Sequence, residues 1–191
     1  MTADQAQCIA QQAHRFEVPE LLLHAIRRKE GGKLGDNIPR RFGNSRDMGP
    51  SQINSIWLSH FRKYGVGANH LIGDFCVNIQ ASAYVLKTYY YKHKGSWPEA
   101  IISYNIGPYK QTPERRRIGV RYMRDVMADW NQLYRYATAN QVRIACYYAD
   151  PKNAPEQCRA SVAGASARST GVFEAPAPDA PASEPSASAA Q

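Results

Sequence analysis

A single acidic residue ends an apolar helical pattern in the segment AIRRKEGG. Glu30 follows Leu22 and Ile26 at helical spacing, so its carboxyl is expected at the rim of the buried face of a helix. Burial disfavours the charged form of a carboxyl and can raise its pKa toward neutrality. Glu30 could therefore act as a general acid on a glycosidic oxygen, although an acid beside a glycine helix end can equally have no role.

Two later stretches carry polar side chains that could bind a sugar. DMGPSQIN joins a Gly-Pro turn to a polar segment that contains Ser51 and Gln52. AIISYNIGPY ends an apolar helix with Tyr104 and Asn105 before a glycine. The residues of each stretch, taken alone, could equally be a helix cap, an exposed side chain or a core aromatic residue without a role in binding. Their order after Glu30 is more specific than any of the stretches alone.

The ordered combination resembles the family-1 lytic transglycosylases, and most closely the small members that accompany conjugation, type IV and type III secretion systems. PELLLHAIRRKEGG, DMGPSQIN, NIQASAYVL and AIISYNIG carry the resemblance, which covers roughly residues 5–110. It implies an all-α, goose-lysozyme-like domain in which the glutamate that ends the second helix, Glu30, is the catalytic acid and base. It also implies that a set of residues binds the glycan: Ser51, Gln52, Ile53, Asn78, Tyr104 and Asn105.

The reaction implied by this resemblance needs one carboxyl group and no metal or organic cofactor. Glu30 would protonate the oxygen between N-acetylmuramic acid and N-acetylglucosamine, and would then take the proton of the muramic acid 6-hydroxyl. The product would be a 1,6-anhydro sugar, formed without water. Tyr104 would hold Glu30 or the muramoyl N-acetyl group in position. The expected partners are peptidoglycan glycan strands and components of a conjugation or secretion machine, for which the wall would be opened locally.

Three other functions remain open on the residues alone. A hydrolytic lysozyme would use water, with Asp47 positioning it. A non-catalytic peptidoglycan-binding or scaffold protein would use Glu30 structurally, and Pro50 and Ser51, which stand where the family has Leu-Met, fit that alternative. A nucleic-acid binder is suggested by RRRIGVRYMR. No zinc, sheet-aromatic or helix-turn-helix signature accompanies this charge run, so nucleic acid is not an expected partner.

The elements that must position these residues are predicted to be helices, from apolar spacing and capping residues. Six helices are predicted. The first is marked by Ile9, Ala13 and Phe16, the second starts at Pro19, and the third runs from about Ser51 to Gly65. The fourth runs from the N-cap Asp74 to Gly95, the fifth follows the capping box of Ser96 and Glu99, and the sixth has Thr112 as its N-cap. The last has an apolar stripe of Ile118, Tyr122, Val126, Trp130 and Leu133.

Charge and composition divide the chain. Lys and Arg number 24 against 16 acidic residues, a net charge of +8, yet from Ala160 onward only Arg168 is basic. The basic part would meet polyanions faster, whether nucleic acid, anionic lipid or a carboxylate-bearing wall polymer. The end of the chain, rich in Ala, Ser and Pro, is expected to be disordered. We predict a lysozyme-like domain at 1–139, a cysteine-containing extension at 140–159, a tail at 160–191, and a monomer.

The four cysteines are Cys8, Cys76, Cys146 and Cys158, with no C-x-x-C pair, which disfavours a zinc site. The residues alone leave two disulfides and four buried thiols equally open. The resemblance implies that Cys8 pairs with Cys76, and with that pair it implies the periplasm. No apolar run is long enough for a membrane span, and the first residues lack the apolar run of a signal peptide, so on the residues alone the protein is either cytoplasmic or a mature form whose leader has been replaced by Met1. The periplasm that the resemblance implies would require the second alternative.

Overall fold

A computed structural model describes residues 1–41, 44–107, 112–140 and 144. The prediction of a helical protein is confirmed for these residues. The elements, in chain order, are α1 (Ala3–Phe16), α2 (Glu20–Glu30), β1 (Asn37–Pro39), β2 (Arg46–Met48), β3 (Ile53–Asn54), a 3-10 turn (Ser55–Trp57), α3 (Leu58–Phe61), a second 3-10 turn (Arg62–Tyr64), α4 (Ala68–Gly73), α5 (Phe75–Lys92), α6 (Trp97–Ile106) and α7 (Pro113–Asn140).

Local capping signals account for where the long helices begin. The side chain of Asp74 accepts the Val77 N–H at the start of α5, and Ser96 accepts the Glu99 N–H at the start of α6. Thr112 accepts the Arg115 N–H before α7. Each cap satisfies a backbone donor that the helix leaves without a partner, so these starts are confirmed where the sequence placed them.

The third predicted helix is wrong in its first part. Ser51 and Gln52 lie in a turn, and the chain then forms β3 instead of a helix. Gln52 has a φ of 49°, in the left-handed region, which an α-helix does not contain. The side chain of Asn54 accepts the Ile56 N–H and starts the first 3-10 turn. Helical structure therefore begins at Ser55, in short pieces that end at Gly65.

The short helix α4 was not predicted from the sequence, and neither was a small antiparallel sheet. Its strand order is β1-β2-β3, with Asn37 opposite Met48 and Met48 opposite Ile53. The strands have only two or three residues each, too few to show an alternating apolar pattern. The sheet lies in the segment between α2 and α3, where β2 contacts α4 and β3 contacts α5.

The core lies where α2, α5, α6 and α7 meet. Leu23, Ile26, Ile79 and Ile101 have no exposed surface in this region. The predicted apolar stripe of α7 is correct for most of its members, but Ile118 is 58% exposed and lines a surface groove. No described helix is both long and apolar enough to cross a membrane.

A disulfide joins α1 to α5. Cys8 and Cys76 are paired with a Cα–Cα distance of 5.8 Å, which confirms the pairing that the resemblance implied. By closing a long loop, such a bond constrains the unfolded chain. Cys146, Cys158 and the tail predicted at 160–191 lie outside the described residues.

Candidate active site

Glu30 is the last residue of α2, and the two glycines that follow it have different tasks. Gly31 has a φ of 65° and its N–H donates to the Arg27 carbonyl, which ends the helix in the left-handed conformation. Gly32 is buried against the turn at 49–52. A Cβ at this position would overlap the Gly49 carbonyl oxygen and the Gln52 side chain. The double glycine therefore lets the turn pack directly beside the catalytic candidate.

The carboxyl of Glu30 is partly buried and faces Tyr122 of α7. The Tyr122 hydroxyl donates to Glu30 Oε1 at 2.5 Å. Among the described residues this is the one hydrogen bond to the carboxyl, and Oε2 carries none. Burial raises the pKa of Glu30 from its usual 4.5 to about 7, a rise that the Tyr122 hydrogen bond opposes. About half of the Glu30 side chains would therefore hold a proton at neutral pH.

Asp47 is a nearby acidic side chain, and its electrostatic repulsion raises the pKa of Glu30 further. Both of its own oxygens are engaged. Arg40 Nε donates to Oδ2 at 2.6 Å, and the Asn54 amide donates to Oδ1 at 2.7 Å. Asp47 is thus held by two side chains, whereas Glu30 has one carboxyl oxygen that carries no hydrogen bond from the described residues.

Glu30 opens into a small pocket that continues into a larger groove. The pocket is lined by Glu30, Arg40, Gln52, Ile53, Asn54, Trp57, Val85, Tyr104 and Asn105. Five of these residues also line the groove, whose volume is about 540 Å³. A cleft of this size, with aromatic and amide side chains beside a protonated carboxyl, suits a chain of sugars. The arrangement can deliver one proton to a bound ligand and take one back.

The structure brings four of the predicted glycan-binding residues to Glu30: Gln52, Ile53, Tyr104 and Asn105. The Gln52 amide also donates to the Gly49 carbonyl at 2.9 Å, which holds the turn in shape. Their contact with a glycan stays a prediction.

Asn78 and Ser51 need a correction, because neither has any exposed surface from which to bind a glycan. Asn78 Oδ1 accepts the Ser51 N–H at 2.7 Å, and its amide donates to the carbonyls of Met48 and Leu71. Asn78 therefore fixes the turn from below. Both residues shape the pocket from inside the protein.

Tyr104 makes no hydrogen bond to Glu30 in the described structure, whereas its expected contact with the muramoyl N-acetyl group stays a prediction. Its hydroxyl donates to the Ser51 carbonyl at 2.9 Å and lies 2.9 Å from the Ser82 hydroxyl. Burial, with the nearby charge of Glu30, holds the pKa of Tyr104 well above its usual range, so the phenol stays neutral. The phenol that contacts Glu30 is Tyr122, which the sequence analysis had placed only in the apolar stripe of α7. A tyrosine in an otherwise apolar stripe was the available signal.

The part of the chain that the structure describes contains no group of three or more His, Cys, Asp or Glu side chains arranged to hold a metal ion.

Comparison with known proteins adds a family and several relatives. The family model described as "Transglycosylase SLT domain" matches residues 7–118. "Invasion protein IagB" of Salmonella typhimurium (strain SL1344) is 29% identical over 128 residues, which are 67% of this chain and 78% of the relative. "Protein IpgF" of Shigella flexneri is 26% identical over 139 residues, 73% of this chain and 89% of the relative. "X polypeptide" of Escherichia coli (strain K12) is 30% identical over 115 residues, 58% and 64% of the two chains.

Proposed function

Because the chain belongs to the transglycosylase SLT domain family, we propose that Glu30 is the single acid and base of its reaction. The protein is a peptidoglycan lytic transglycosylase with a lysozyme-like helical domain. The bond cleaved is the β-1,4 bond between N-acetylmuramic acid and N-acetylglucosamine, and the product carries a 1,6-anhydro end. The observation that carries this proposal is a carboxyl with a pKa of about 7 that opens into a groove.

In the first step the protonated Glu30 gives its proton to the glycosidic oxygen as the bond from that oxygen to C1 of the muramic acid breaks. The carbonyl oxygen of the muramoyl N-acetyl group bonds to C1 and carries the resulting positive charge. A pKa near the working pH suits this step, because it combines a protonated fraction with a proton that leaves readily. Tyr122 keeps Oε1 occupied, so Oε2 is the oxygen that faces the ligand.

In the second step the 6-hydroxyl of the same sugar attacks C1 and its proton passes to the Glu30 carboxylate. The bond between C1 and the N-acetyl oxygen breaks, and the 1,6-anhydro ring is closed. Glu30 ends the cycle protonated, as it began. No water is consumed, so a second carboxyl group is not required to activate one.

A hydrolytic lysozyme is the rival reaction, and it would need a group that positions water. Asp47 is the nearby candidate, yet Arg40 and Asn54 engage both of its oxygens. Those hydrogen bonds favour the one-carboxyl mechanism.

Mass spectrometry of the fragments released from purified peptidoglycan tests the proposal. The wild type should release anhydro-muropeptides, and Glu30→Gln should lower the release about a thousandfold or more while the protein stays folded. Glu114→Gln, which removes a carboxylate 81% exposed on α7, should release as much as the wild type. Products one water heavier would indicate a lysozyme, and normal activity of Glu30→Gln would overturn the role of Glu30.

We also propose that the chain acts as a monomer in the periplasm and opens the wall locally for a conjugation or secretion apparatus. The name of one relative, an invasion protein, supports a role of this kind. The net charge of +8 supports an encounter with a wall polymer that carries carboxylates. Deletion of the gene should then lower assembly of the apparatus, and a plasmid copy with Glu30→Gln should not restore it.

A further inference from the structure

The groove that extends from the Glu30 pocket is unusual in its charge. Three arginines line it: Arg40, Arg41 and Arg115. No Asp or Glu belongs to its described lining, which is otherwise made of aromatic, aliphatic, amide and hydroxyl groups. Asp47 pairs with Arg40, and a glycan backbone of N-acetylated sugars has no charge that would explain the two other arginines, Arg41 and Arg115, in the lining.

The arginines come from two separate segments of the chain. Arg40 and Arg41 follow β1, while Arg115 lies in the first turn of α7. Arg115 donates to the Ile106 carbonyl at the end of α6, which fixes its guanidinium at the groove wall. Arg40 is paired with Asp47 and lowers the pKa of Glu30, so it belongs to the electrostatics of the Glu30 pocket. Arg41 and Arg115 line the groove but not that pocket.

The polymer that the proposed function places in this groove carries anions beside its sugars. Each muramic acid bears a stem peptide, and stem peptides end in and contain carboxylates. The planar guanidinium of arginine matches a carboxylate with two parallel hydrogen bonds. Exposed isoleucines, Ile56 and Ile118, line the same groove and could cover the apolar parts of a peptide.

We infer that Arg41 and Arg115 bind carboxylates of the stem peptides, so that the enzyme prefers glycan strands that carry charged peptides. This inference rests on the proposed function, because it assumes that a glycan strand lies along the groove. It adds a recognition site for the peptide to a catalytic site for the sugar.

Three substrates, prepared from the same purified strands, distinguish the contributions that the carboxylate charge, the stem peptide and the sugar make to the cleavage rate. The first is the untreated strand, the second has its carboxyl groups converted to amides, and the third has lost its stem peptides to an amidase. The third keeps one carboxylate on each muramic acid. The measurement is the kcat/KM for release of anhydro products, at low salt.

The wild type should cleave the untreated strand about five- to tenfold faster than the amidated strand, the combined effect of two partly exposed charged contacts. The strand without peptides should be as slow as the amidated one. The advantage of the untreated strand should shrink as salt is added. If the strand without peptides were cleaved as fast as the untreated strand, the claim that the bound carboxylates belong to the stem peptides would be overturned.

The variant Arg41→Gln with Arg115→Gln should bring the ratio of untreated to amidated rates close to one. Arg121→Gln with Arg124→Gln is the matched control, because it removes the same charge from a different, exposed surface of α7. The control should keep the ratio of the wild type. Arg41→Gln alone, which leaves the Ile106 contact of Arg115 intact, should give an intermediate ratio and separates recognition from any effect on folding.

The inference and the proposed function fail in different ways. Equal rates of the wild type on the untreated and amidated strands would overturn the inference and leave the proposed function standing. A ratio unchanged in Arg41→Gln with Arg115→Gln would do the same. Absence of anhydro products from every strand would overturn both.

Discussion

Asn78 and Glu30 are two polar side chains in the interior of one protein, and their surroundings are opposite. Asn78, on α5, has no exposed surface and makes hydrogen bonds to Ser51, Met48 and Leu71 at 2.7–2.9 Å. Glu30, at the end of α2, has one hydrogen bond among the described residues, from Tyr122. One side chain is fully paired, and the other is left with an oxygen for a ligand.

The difference separates a group that holds the site from a group that reacts in it. A buried amide with all its partners makes its surroundings rigid, and here it fixes the turn that borders the pocket. A buried carboxyl with few partners is destabilised as an anion and keeps its proton to a higher pH. We expect the protein to lose stability when the first is removed and to gain stability when the second is neutralised.

The largest effect on stability is expected for Asn78→Leu. Leucine has a similar volume but leaves the Ser51 N–H and two carbonyls buried without partners, so the free energy of unfolding should fall by about 3–4 kcal/mol. Urea denaturation measures it. Asn69→Leu, on the exposed surface of α4, should change stability by less than about 0.5 kcal/mol. A loss below about 1 kcal/mol for Asn78→Leu would show that the paired amide does not hold the turn.

Glu30→Gln should instead raise stability at alkaline pH. The pKa of Glu30 is about 7 in the folded protein and 4.5 is its usual value, so the folded protein binds a proton that the unfolded chain releases. That stabilisation is complete below pH 4.5 and is lost as the pH rises through about 7, a loss of about 2–3 kcal/mol.

Glutamine does not titrate, so the variant should gain about 2–3 kcal/mol over the wild type on going from pH 4.5 to pH 8. Urea denaturation at the two pH values, with Glu114→Gln as control, gives this difference. A Glu30→Gln variant that parallels the wild type at both pH values would mean that Glu30 has an ordinary pKa in the folded protein.

A smaller effect is expected for Tyr122→Phe, which removes the hydrogen bond to Glu30. Since that bond lowers the pKa of Glu30, the alkaline limb of the kcat profile should move to higher pH. The maximal rate should fall about fivefold, the value of one hydrogen bond of about 1 kcal/mol. Tyr134→Phe, half exposed on the same helix, is the control. An alkaline limb that stays in place or moves to lower pH would contradict the assigned contact.

The smallest effect is expected at the outer edge of the contact between α2 and α7. Lys29 and Asp125 are 2.5 Å apart and Arg28 and Asp129 are 3.5 Å apart, and the four side chains are 24–47% exposed. Asp125→Asn should lower the free energy of unfolding by less than about 1 kcal/mol, and salt should reduce the difference further. A larger loss would assign part of the rigidity around Glu30 to this pair.

What could be predicted from the sequence was local. Glu30 and its glycines, and the caps Asp74, Ser96 and Thr112, act within four residues of their partners, so a short stretch contains the whole signal. The contact of Tyr122 with Glu30 joins residues 92 positions apart, and no spacing along the chain reveals it. The inward direction of Asn78 has the same origin, since its partners lie on three other segments.

The turn at 49–52 shows where a local pattern misleads. Ser51, Gln52, Ile53 and Ile56 read as the start of an amphipathic helix. The structure instead gives Gln52 a positive φ and uses the Ser51 N–H to bind Asn78. Tertiary hydrogen bonds outweighed local preference at the place where the pocket is formed.

The most direct test of this account is an NMR titration of the Glu30 side-chain carboxyl in protein labelled with ¹³C at glutamate, with Glu30→Gln to assign the resonance. We expect a transition at about pH 7, well above the usual value of 4.5. A transition near 4.5 would mean that Glu30 is ionised at neutral pH, and its role as the acid of the reaction would be contradicted.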